Sequence, residues 1–166
     1  VADEIAAQMG AERIGTCEIQ DTGRPFYGVY YGQAALPHAP ERLFYLDNAV
    51  IRGLQVYNVE TQSDIPVYDL GAAAGRDPYE MFLGGARSII KITNPNAAQE
   101  RRLIVFRDSF GSSIAPLLAA GYSEITLVDI RYISPSSLGK LIDFTKADDA
   151  LFLYSASVIN NSETIK

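Results

Sequence analysis

The strongest constraint on the fold is a regular alternation of apolar and helix-forming segments in the second half of the chain. Residues 103–106, 125–130 and 150–154 have the length and composition of buried strands. Segments with helical character, 113–119 and 136–145, lie between them. Strands that alternate with helices in this way pair in parallel through right-handed crossovers, with helices on the faces of the sheet. The pattern predicts an α/β fold built on a parallel sheet.

The first half of the chain has a different rhythm, with short strand candidates between turn residues. These candidates are residues 14–19, 28–31, 43–46, 54–59 and 65–69, followed by a short helix at 78–83 and a strand at 88–93. We therefore expect an irregular β-rich insertion in the N-terminal half of the parallel α/β fold. No shift in composition marks a linker, so residues 1–166 are predicted to form a single domain.

The N-terminus begins inside a helical pattern. Val1, Ile5 and Met9 recur every four residues on one face, and Gly10 follows as a natural helix stop. Because the pattern starts at the first residue, and that residue is not methionine, we expect the helix to begin upstream in a longer protein.

Composition excludes several classes of function. Fourteen basic residues against twenty acidic ones give a net charge of -6 without any basic run, so a nucleic-acid partner is not expected. One cysteine, Cys17, excludes an internal disulfide, and together with the single His38 it does not make a closed zinc site, so no metal is predicted. No glycine-rich phosphate loop follows a strand, and no cofactor is predicted. No apolar run is long enough to span a bilayer, so we expect membrane association only through segments outside this chain.

The most informative chemical feature is the sequence RRLIVFRDSFGSS, residues 101–113, in which an apolar strand ends in Asp-Ser-Phe-Gly. Ser109 is thereby placed at the carboxyl end of a strand, where ligands bind in open α/β sheets. A serine on such a turn is exposed beside backbone amides that stabilise an oxyanion. Asp and Ser are also the commonest helix caps, and on the residues alone capping by Asp108 and Ser109 is favoured over catalysis.

Other polar residues are predicted at the same edge. Asp129 and Arg131 follow the next strand, and two residues apart in an extended segment they point the same way. This spacing suits either a local salt bridge or a carboxylate and guanidinium pair that shapes a substrate loop, and both readings stay open. Arg107 is interpreted as a solvated arginine at a strand end, in preference to an arginine that meets an anionic intermediate. Ser155 and Ser157 follow the third strand.

The remaining candidates have structural interpretations. His38 lies in Leu-Pro-His-Ala-Pro, an extended loop, and is interpreted as a surface residue and not as a catalytic base. Cys17 is interpreted as a buried small hydrophobic residue. The tyrosines of the first half are interpreted as core residues in preference to a sugar-binding surface. They are Tyr27, Tyr30, Tyr31, Tyr45, Tyr57 and Tyr68.

Three stretches carry a resemblance to a known family. They are DPYEMFLGGARSIIKITN (77–94), RLIVFRDSFGSSIAPLLAAGYSEITLVDIRYISPSSLGKLI (102–142) and DDALFLYS (148–155), with Phe26-Tyr27-Gly28 as a weaker match. They resemble the C-terminal half of the DHHW family, SGNH-hydrolase-like proteins that are similar to the alginate O-acetyltransferases of bacterial surfaces. The resemblance implies an SGNH-hydrolase-like sheet for this domain, as the C-terminal portion of a longer one.

The resemblance also implies a mechanism. Ser109 matches the family's serine nucleophile, whose base and orienting acid come from an upstream Asp-His-His-Trp motif that this chain does not contain. From the turn itself, and not from the resemblance, the amides of Ser109 and Phe110 are the natural oxyanion donors, with Gly85 as a third candidate. Arg131 and Asp129 are candidates for substrate contact from their place at the sheet edge, beside the alternative of an internal ion pair.

The function that the resemblance implies is a serine esterase or O-acyltransferase that acts on acylated polysaccharide or cell-wall glycan, outside the cell or at the bacterial surface. Its partner would be a carbohydrate or acyl-ester substrate, and these 166 residues alone would be inactive. The alternative is a non-catalytic carbohydrate-binding or scaffold module with a degenerate SGNH-like fold.

Overall fold

The computed structural model describes residues 1–28, 37 and 39–161, and within them the strands form two sheets. In chain order the elements are α1 (Ala2–Gln8), β1 (Glu18–Phe26), β2 (Glu41–Asp47), α2 (Ala49–Arg52), β3 (Gln55–Asn58), β4 (Ser63–Ile65), β5 (Ile89–Thr93), β6 (Arg102–Arg107), α3 (Gly111–Ile114), β7 (Glu124–Val128), α4 (Pro135–Leu141), β8 (Asp149–Leu153) and α5 (Ala156–Asn160). Short 3-10 helices cover Ala72–Ala74, Pro78–Met81, Ala115–Gly121 and Phe144–Lys146.

The main sheet has the order β4-β3-β5-β7-β6-β8. Strand β6 lies between β7 and β8 and is parallel to both, which confirms the three parallel strands predicted from the alternation. The prediction of a parallel sheet throughout is wrong, because β5 is antiparallel to β7 and β3 is antiparallel to both β4 and β5. The connection from β5 to β6, residues 94–101, contains no helix and is shorter than parallel crossovers require, whereas helices connect β6, β7 and β8.

The first half contributes directly to the main sheet, and is therefore not only an insertion. Strands β3 and β4 extend the sheet beyond β5, while β1 and β2 form a separate antiparallel hairpin. The hairpin packs through Leu43, Phe26 and Tyr45 against Met81 and Phe82. This aromatic cluster supports the 3-10 helix Pro78–Met81, the short helix that the sequence predicted.

Several predicted boundaries are wrong. Residues 14–17 precede β1 and are not strand, since Gly15 has a positive φ of 77°. The strand predicted at 65–69 stops at Ile65 because Pro66 has no N–H for a ladder bond. Cys17 is half-buried, and Asn48 donates to its sulfur. Most of the 28–31 candidate, with Tyr30, Tyr31 and His38, lies outside the described residues.

The helix predicted at 113–119 begins earlier and changes type. It is α3 followed by the 3-10 helix Ala115–Gly121, and Pro116, which has no N–H to donate, lies at the change. The helix predicted at 136–145 is α4 followed by Phe144–Lys146, where the Asp143 carboxylate accepts from the Thr145 amide. In the described part of the chain, no helix is long and apolar enough to cross a membrane.

One face of the sheet forms the main core. Leu103, Val105, Ile125 and Leu127 are fully buried there against the helical segment 111–121 and α1, which packs through Ala6. The face predicted for the first helix is confirmed for Ile5 and Met9, which pack against this core, but Val1 is exposed.

The amino ends of the three parallel strands are held by what we call the amino-end cluster, Arg101, Tyr122 and Asp149. The Arg101 guanidinium lies 2.7 Å from the Asp149 carboxylate and 5.1 Å from the centre of the Tyr122 ring. It also donates to the carbonyls of Met9 and Gly10, which fixes the end of α1. The Tyr122 hydroxyl donates to Asp149 at 3.0 Å. Burial, followed by the Asp149 carboxylate, raises the pKa of Tyr122 to about 12.

Candidate functional site at the carboxyl ends of the parallel strands

The turn that follows β6 contains Ser109, whose side chain forms no hydrogen bond to another described residue. Ser109 is half-buried, and its hydroxyl is not bonded to any other described residue. Its backbone N–H is likewise unbonded among residues 1–28, 37 and 39–161. Both groups are therefore available to a bound molecule at the edge where ligands gather in α/β sheets.

Asp108 holds this turn in place. Its carboxylate is buried and accepts two backbone N–H groups, from Phe110 at 3.0 Å and from Ser155 at 2.7 Å. The second bond ties the turn after β6 to the turn after β8. The helix capping predicted for Asp108 and Ser109 is not observed, because the N-cap of α3 is Phe110 and no side chain caps it. Asp108 instead closes the turn by accepting the Phe110 amide.

Two of the three predicted oxyanion donors already have acceptors inside the protein. The Phe110 N–H is bonded to Asp108, and the Gly85 N–H donates to the Phe82 carbonyl at 3.1 Å. Gly85 also packs closely on Glu80, whose Cγ would be 2.9 Å from an added Cβ. These bonds make Phe110 and Gly85 poor donors in this conformation and leave the Ser109 N–H. The Phe110 ring is 45% exposed and lies beside Tyr79.

Asp129 and Arg131 form a local salt bridge, which is one of the two interpretations that the sequence allowed. Asp129 is fully buried, and it accepts from Arg131 Nε at 2.9 Å and from Nη2 at 2.7 Å. This hydrogen bonding raises the pKa of the Arg131 guanidinium. The Arg131 side chain is one quarter exposed and packs 5.4 Å from the centre of the Tyr132 ring. The pair is thus rigid, with part of the guanidinium facing solvent.

Arg107, which we interpreted as solvated, is completely buried, and that interpretation is wrong. Side chains alternate along a strand, so Arg107 continues the core-facing series of Leu103 and Val105. Its Nη1 lies 3.4 Å from the Asp108 carbonyl and 3.8 Å from the Asp129 carboxylate, and Nη2 lies 3.4 Å from the Arg87 carbonyl. Burial lowers the pKa of this guanidinium. Only the pairing of β6 with β7 places Arg107 opposite Asp129, and the sequence pattern does not show that pairing.

We call Arg107, Asp108, Asp129 and Arg131 the carboxyl-end cluster. Polar groups in this cluster and next to it are incompletely paired within the described part of the chain. Arg107 Nε, Ser112 Oγ and the Tyr154 hydroxyl are buried without a hydrogen bond to any described residue. Burial also raises the pKa of Tyr154. Unpaired buried polar atoms are costly, and they are commonest where a structure serves binding or catalysis.

A second network supports the Ser109 turn from the opposite side. The Tyr79 hydroxyl donates to Ser113 Oγ at 2.8 Å, and Ser113 donates to the Phe110 carbonyl at 3.2 Å. Burial raises the pKa of Tyr79, so this hydroxyl stays protonated. Sequence reasoning missed Tyr79 because it is thirty-four residues from its partner.

Within the described residues there is no general base beside Ser109. His38 is outside them, and the carboxylates of Asp108 and Asp129 are both engaged. No group of acidic, cysteine or histidine side chains in this part of the chain has the arrangement of a metal site.

A cavity of about 500 Å³ lies behind α3, bounded also by α1 and the β1–β2 hairpin. It is lined mainly by apolar side chains, and Ser113 and Ile114 contribute to it. Ser109 does not line it, so the cavity is adjacent to the serine turn but separate from it.

Comparison with known proteins rests on solved structures, since no protein-family model and no curated protein matches the chain. A DHHW family protein from Eubacterium siraeum superposes with a TM-score of 0.71 at 21% identity, over 99% of this chain and 57% of that protein. PatB1 from Bacillus cereus, with a sulfonyl adduct, gives 0.69 at 21% identity over 95% of this chain and 54% of PatB1. A further structure of PatB1 gives 0.66 at 20% identity, over 95% and 56%.

These matches show the fold. The mixed α/β arrangement described above is shared with a DHHW family protein and with PatB1, which confirms the resemblance to a DHHW family protein at the level of the fold. The chain spans little more than half the length of each matched structure.

Proposed function

We propose that Ser109 is the nucleophile of an SGNH-like serine esterase or O-acyltransferase. The observation that carries this proposal is the state of the turn. Among the described residues neither the Ser109 hydroxyl nor its amide has a partner, while Asp108 holds the surrounding backbone through bonds of 3.0 and 2.7 Å. A nucleophile needs a free hydroxyl in a fixed position, and this turn provides both.

The chemistry is acyl transfer in two steps. A base takes the proton of the Ser109 hydroxyl, and Oγ forms a bond to the carbonyl carbon of an acyl ester. As the tetrahedral intermediate collapses, the bond to the leaving alcohol breaks and the base returns the proton to that alcohol. Water or a sugar hydroxyl then attacks the acyl-serine and gives its proton to the base. The bond between the acyl carbon and Ser109 Oγ breaks, and the base returns the proton to Oγ. Water makes the protein an esterase, and a sugar hydroxyl makes it an O-acyltransferase.

The Ser109 N–H is the oxyanion donor within this chain. Removal of one such donor typically costs about 3 kcal/mol of transition-state stabilisation. A second donor is needed, and release of the Phe110 N–H by Asp108 would supply it.

The base is proposed to lie outside the 166 residues. The chain covers 54–57% of the matched structures, which leaves room for an upstream Asp-His pair in a longer protein. Without a neighbouring base, serine is a weak nucleophile, and residues 1–166 alone would retain little activity.

The substrate proposed is an acylated polysaccharide or cell-wall glycan at the bacterial surface. This proposal rests on the resemblance of residues 77–155 to surface O-acetyltransferases and on the shared fold. The structure of PatB1 that shares this fold carries a sulfonyl adduct, and we take this as support for a reactive group in proteins of this fold.

The test is covalent labelling with a fluorophosphonate, followed by intact-mass analysis and peptide mapping. The protein encoded by the complete gene, its Ser109→Ala variant and residues 1–166 are compared. We expect one adduct on Ser109 in the complete protein, none in the variant, and much slower labelling of residues 1–166. Absence of an adduct from all three folded proteins would contradict the proposal.

The alternative is a non-catalytic carbohydrate-binding or scaffold module. It is favoured by the lack of a base among the described residues, with both nearby carboxylates engaged in structural bonds. A folded complete protein that fails to label but binds acetylated glycan would support the module.

A further inference from the structure

The geometry points to Arg107 as a positioning residue that holds the Ser109 turn and supplies a fixed positive charge beneath it. This inference rests on the proposed nucleophilic role of Ser109. Arg107 reaches no solvent, so it acts through the turn and not by touching substrate.

The stem of Arg107 sets the position of the turn. An added Cβ on Gly111, the first residue of α3, would lie 2.5 Å from Arg107 Cβ and 3.0 Å from Cγ. The start of α3 therefore rests directly on this side chain, and a glycine is required for the close approach. Since Ser109 lies between Arg107 and Gly111, the contact closes the turn across the nucleophile.

The guanidinium connects three segments beneath the turn. Nη1 contacts the carbonyl of Asp108 at 3.4 Å, and Nη2 contacts the carbonyl of Arg87, which precedes β5. Nη1 also lies 3.8 Å from Asp129 at the end of β7. The ends of β6 and β7 and the segment before β5 thus share one cation.

Arg107 balances the charge of the carboxyl-end cluster, which holds two guanidinium groups and two carboxylates. Asp129 is the nearest carboxylate, yet its oxygens lie closer to Arg131, at 2.7 and 2.9 Å. The Asp108 carboxylate is occupied by the amides of Phe110 and Ser155. Arg107 Nε has no described partner. Without Arg107 this buried cluster would carry a net negative charge, so the cation raises the electrostatic potential in its surroundings relative to the cluster without it and thereby favours negative charge on a neighbouring oxygen.

This potential has two expected consequences at Ser109. It stabilises the oxyanion and the serine oxygen as the proton leaves, and it disfavours protonation of a histidine base placed against the hydroxyl. Loss of the charge should therefore raise the pKa of that base. The labelling rate rises with pH as the base loses its proton, so its midpoint should move to higher pH.

The experiment measures the rate of fluorophosphonate labelling against pH for the complete protein. The variants are Arg107→Lys, Arg107→Met and, as a matched control, Arg102→Met. Arg102 is an exposed arginine at the other end of the same strand. We expect Arg107→Met to label about a hundredfold more slowly, with its midpoint at higher pH. Arg107→Lys should restore the midpoint, and Arg102→Met should match the parent protein.

Hydrogen exchange of the Phe110, Gly111 and Ser112 amides provides a second readout, independent of labelling. These amides donate to Asp108 and Ser109, and Arg107→Met should accelerate their exchange in folded protein. Parent-like labelling, midpoint and exchange in Arg107→Met would overturn the inference while leaving the nucleophile in place. A slower rate with an unmoved midpoint would overturn the charge component. Failure of the parent protein to label would instead refute the proposed function. If the parent fails to label and amide exchange is also the same in Arg107→Met as in the parent, the positioning role is refuted as well.

Discussion

A polar cluster lies at each end of the three parallel strands, and the two clusters differ in the number and length of their hydrogen bonds. At the amino ends, Arg101 has a carboxylate at 2.7 Å, two carbonyl acceptors and an aromatic ring. At the carboxyl ends, Arg107 has contacts of 3.4 to 3.8 Å, and its Nε has no partner in the part of the chain that the structure describes. Both clusters draw on β6 and a neighbouring strand.

The difference separates stability from function within one sheet. A cluster whose hydrogen bonds are short and complete stabilises the folded state, and the amino-end cluster does so by fixing α1 on the core. Incomplete pairing of buried groups costs free energy, so it persists where a preorganised polar environment has another use. Substitutions at both ends should therefore lower the free energy of unfolding, whereas only those at the carboxyl ends should slow labelling at Ser109.

The largest effect is expected from Asp129→Asn. Asp129 is the shared carboxylate of Arg107 and Arg131, and its loss leaves a buried cation without a counter-ion. The free energy of unfolding should fall by about 3–5 kcal/mol, measured by urea denaturation. The same substitution at Asp64, which is exposed on β4, should stay within about 0.5 kcal/mol. Equal effects of the two substitutions would show that the carboxyl-end cluster contributes nothing to stability.

A matched pair of glycines compares the two ends directly. A Cβ on Gly111 would meet Arg107 at 2.5 Å, and a Cβ on Gly121 would meet Ala11 at 2.7 Å beside the amino-end cluster. Each Gly→Ala change should cost about 1–3 kcal/mol through overpacking. Labelling of Ser109 in the complete protein should slow in Gly111→Ala and stay unchanged in Gly121→Ala. Equal slowing in both folded variants would remove the distinction between the ends.

A smaller effect is expected for Asp149→Asn, which weakens the bonds to Arg101 and Tyr122. The free energy of unfolding should fall by about 1–2 kcal/mol, the scale of a charged hydrogen bond. Labelling at Ser109 should keep its parent rate. A slower rate at unchanged secondary structure would show that the amino-end cluster acts on the site.

The strands and the place of the serine were predictable because they depend on local patterns. Apolar runs separated by helical segments located β6, β7 and β8 and put Ser109 after β6. The antiparallel direction of β5 was missed because an apolar run of five residues carries no information about direction. Direction depends on whether the connection is long enough for a crossover.

The bonding of the site was less predictable than its position. A charged residue at a strand end is usually solvated, and only the register between β6 and β7 shows that Arg107 lies beside Asp129 in the interior. The Phe110 N–H was predicted to face an oxyanion, but the neighbouring Asp108 accepts it, a choice that depends on one side-chain rotamer. The base that the resemblance requires has no counterpart in these residues.

The smallest expected effect is a pH dependence of stability at the amino ends. The pKa of Tyr122 is about 12 in the folded protein, above its value of about 10 in an unfolded chain. The folded state holds the proton more tightly, so this contribution is fully present below pH 10 and is lost as pH rises towards 12. The melting temperature should fall across this window, and Tyr122→Phe should reduce the fall. An identical slope in Tyr122→Phe would contradict the role of the amino-end cluster.

The central claim is that Ser109 accepts an acyl group, and the most direct measurement is mass analysis after exposure to an activated acetyl ester. The complete protein, incubated with 4-nitrophenyl acetate and quenched in acid, should gain the mass of one acetyl group, mapped to Ser109. Folded Ser109→Ala should gain none there. An acetyl group on other residues only, or the same gain in Ser109→Ala, would contradict the account.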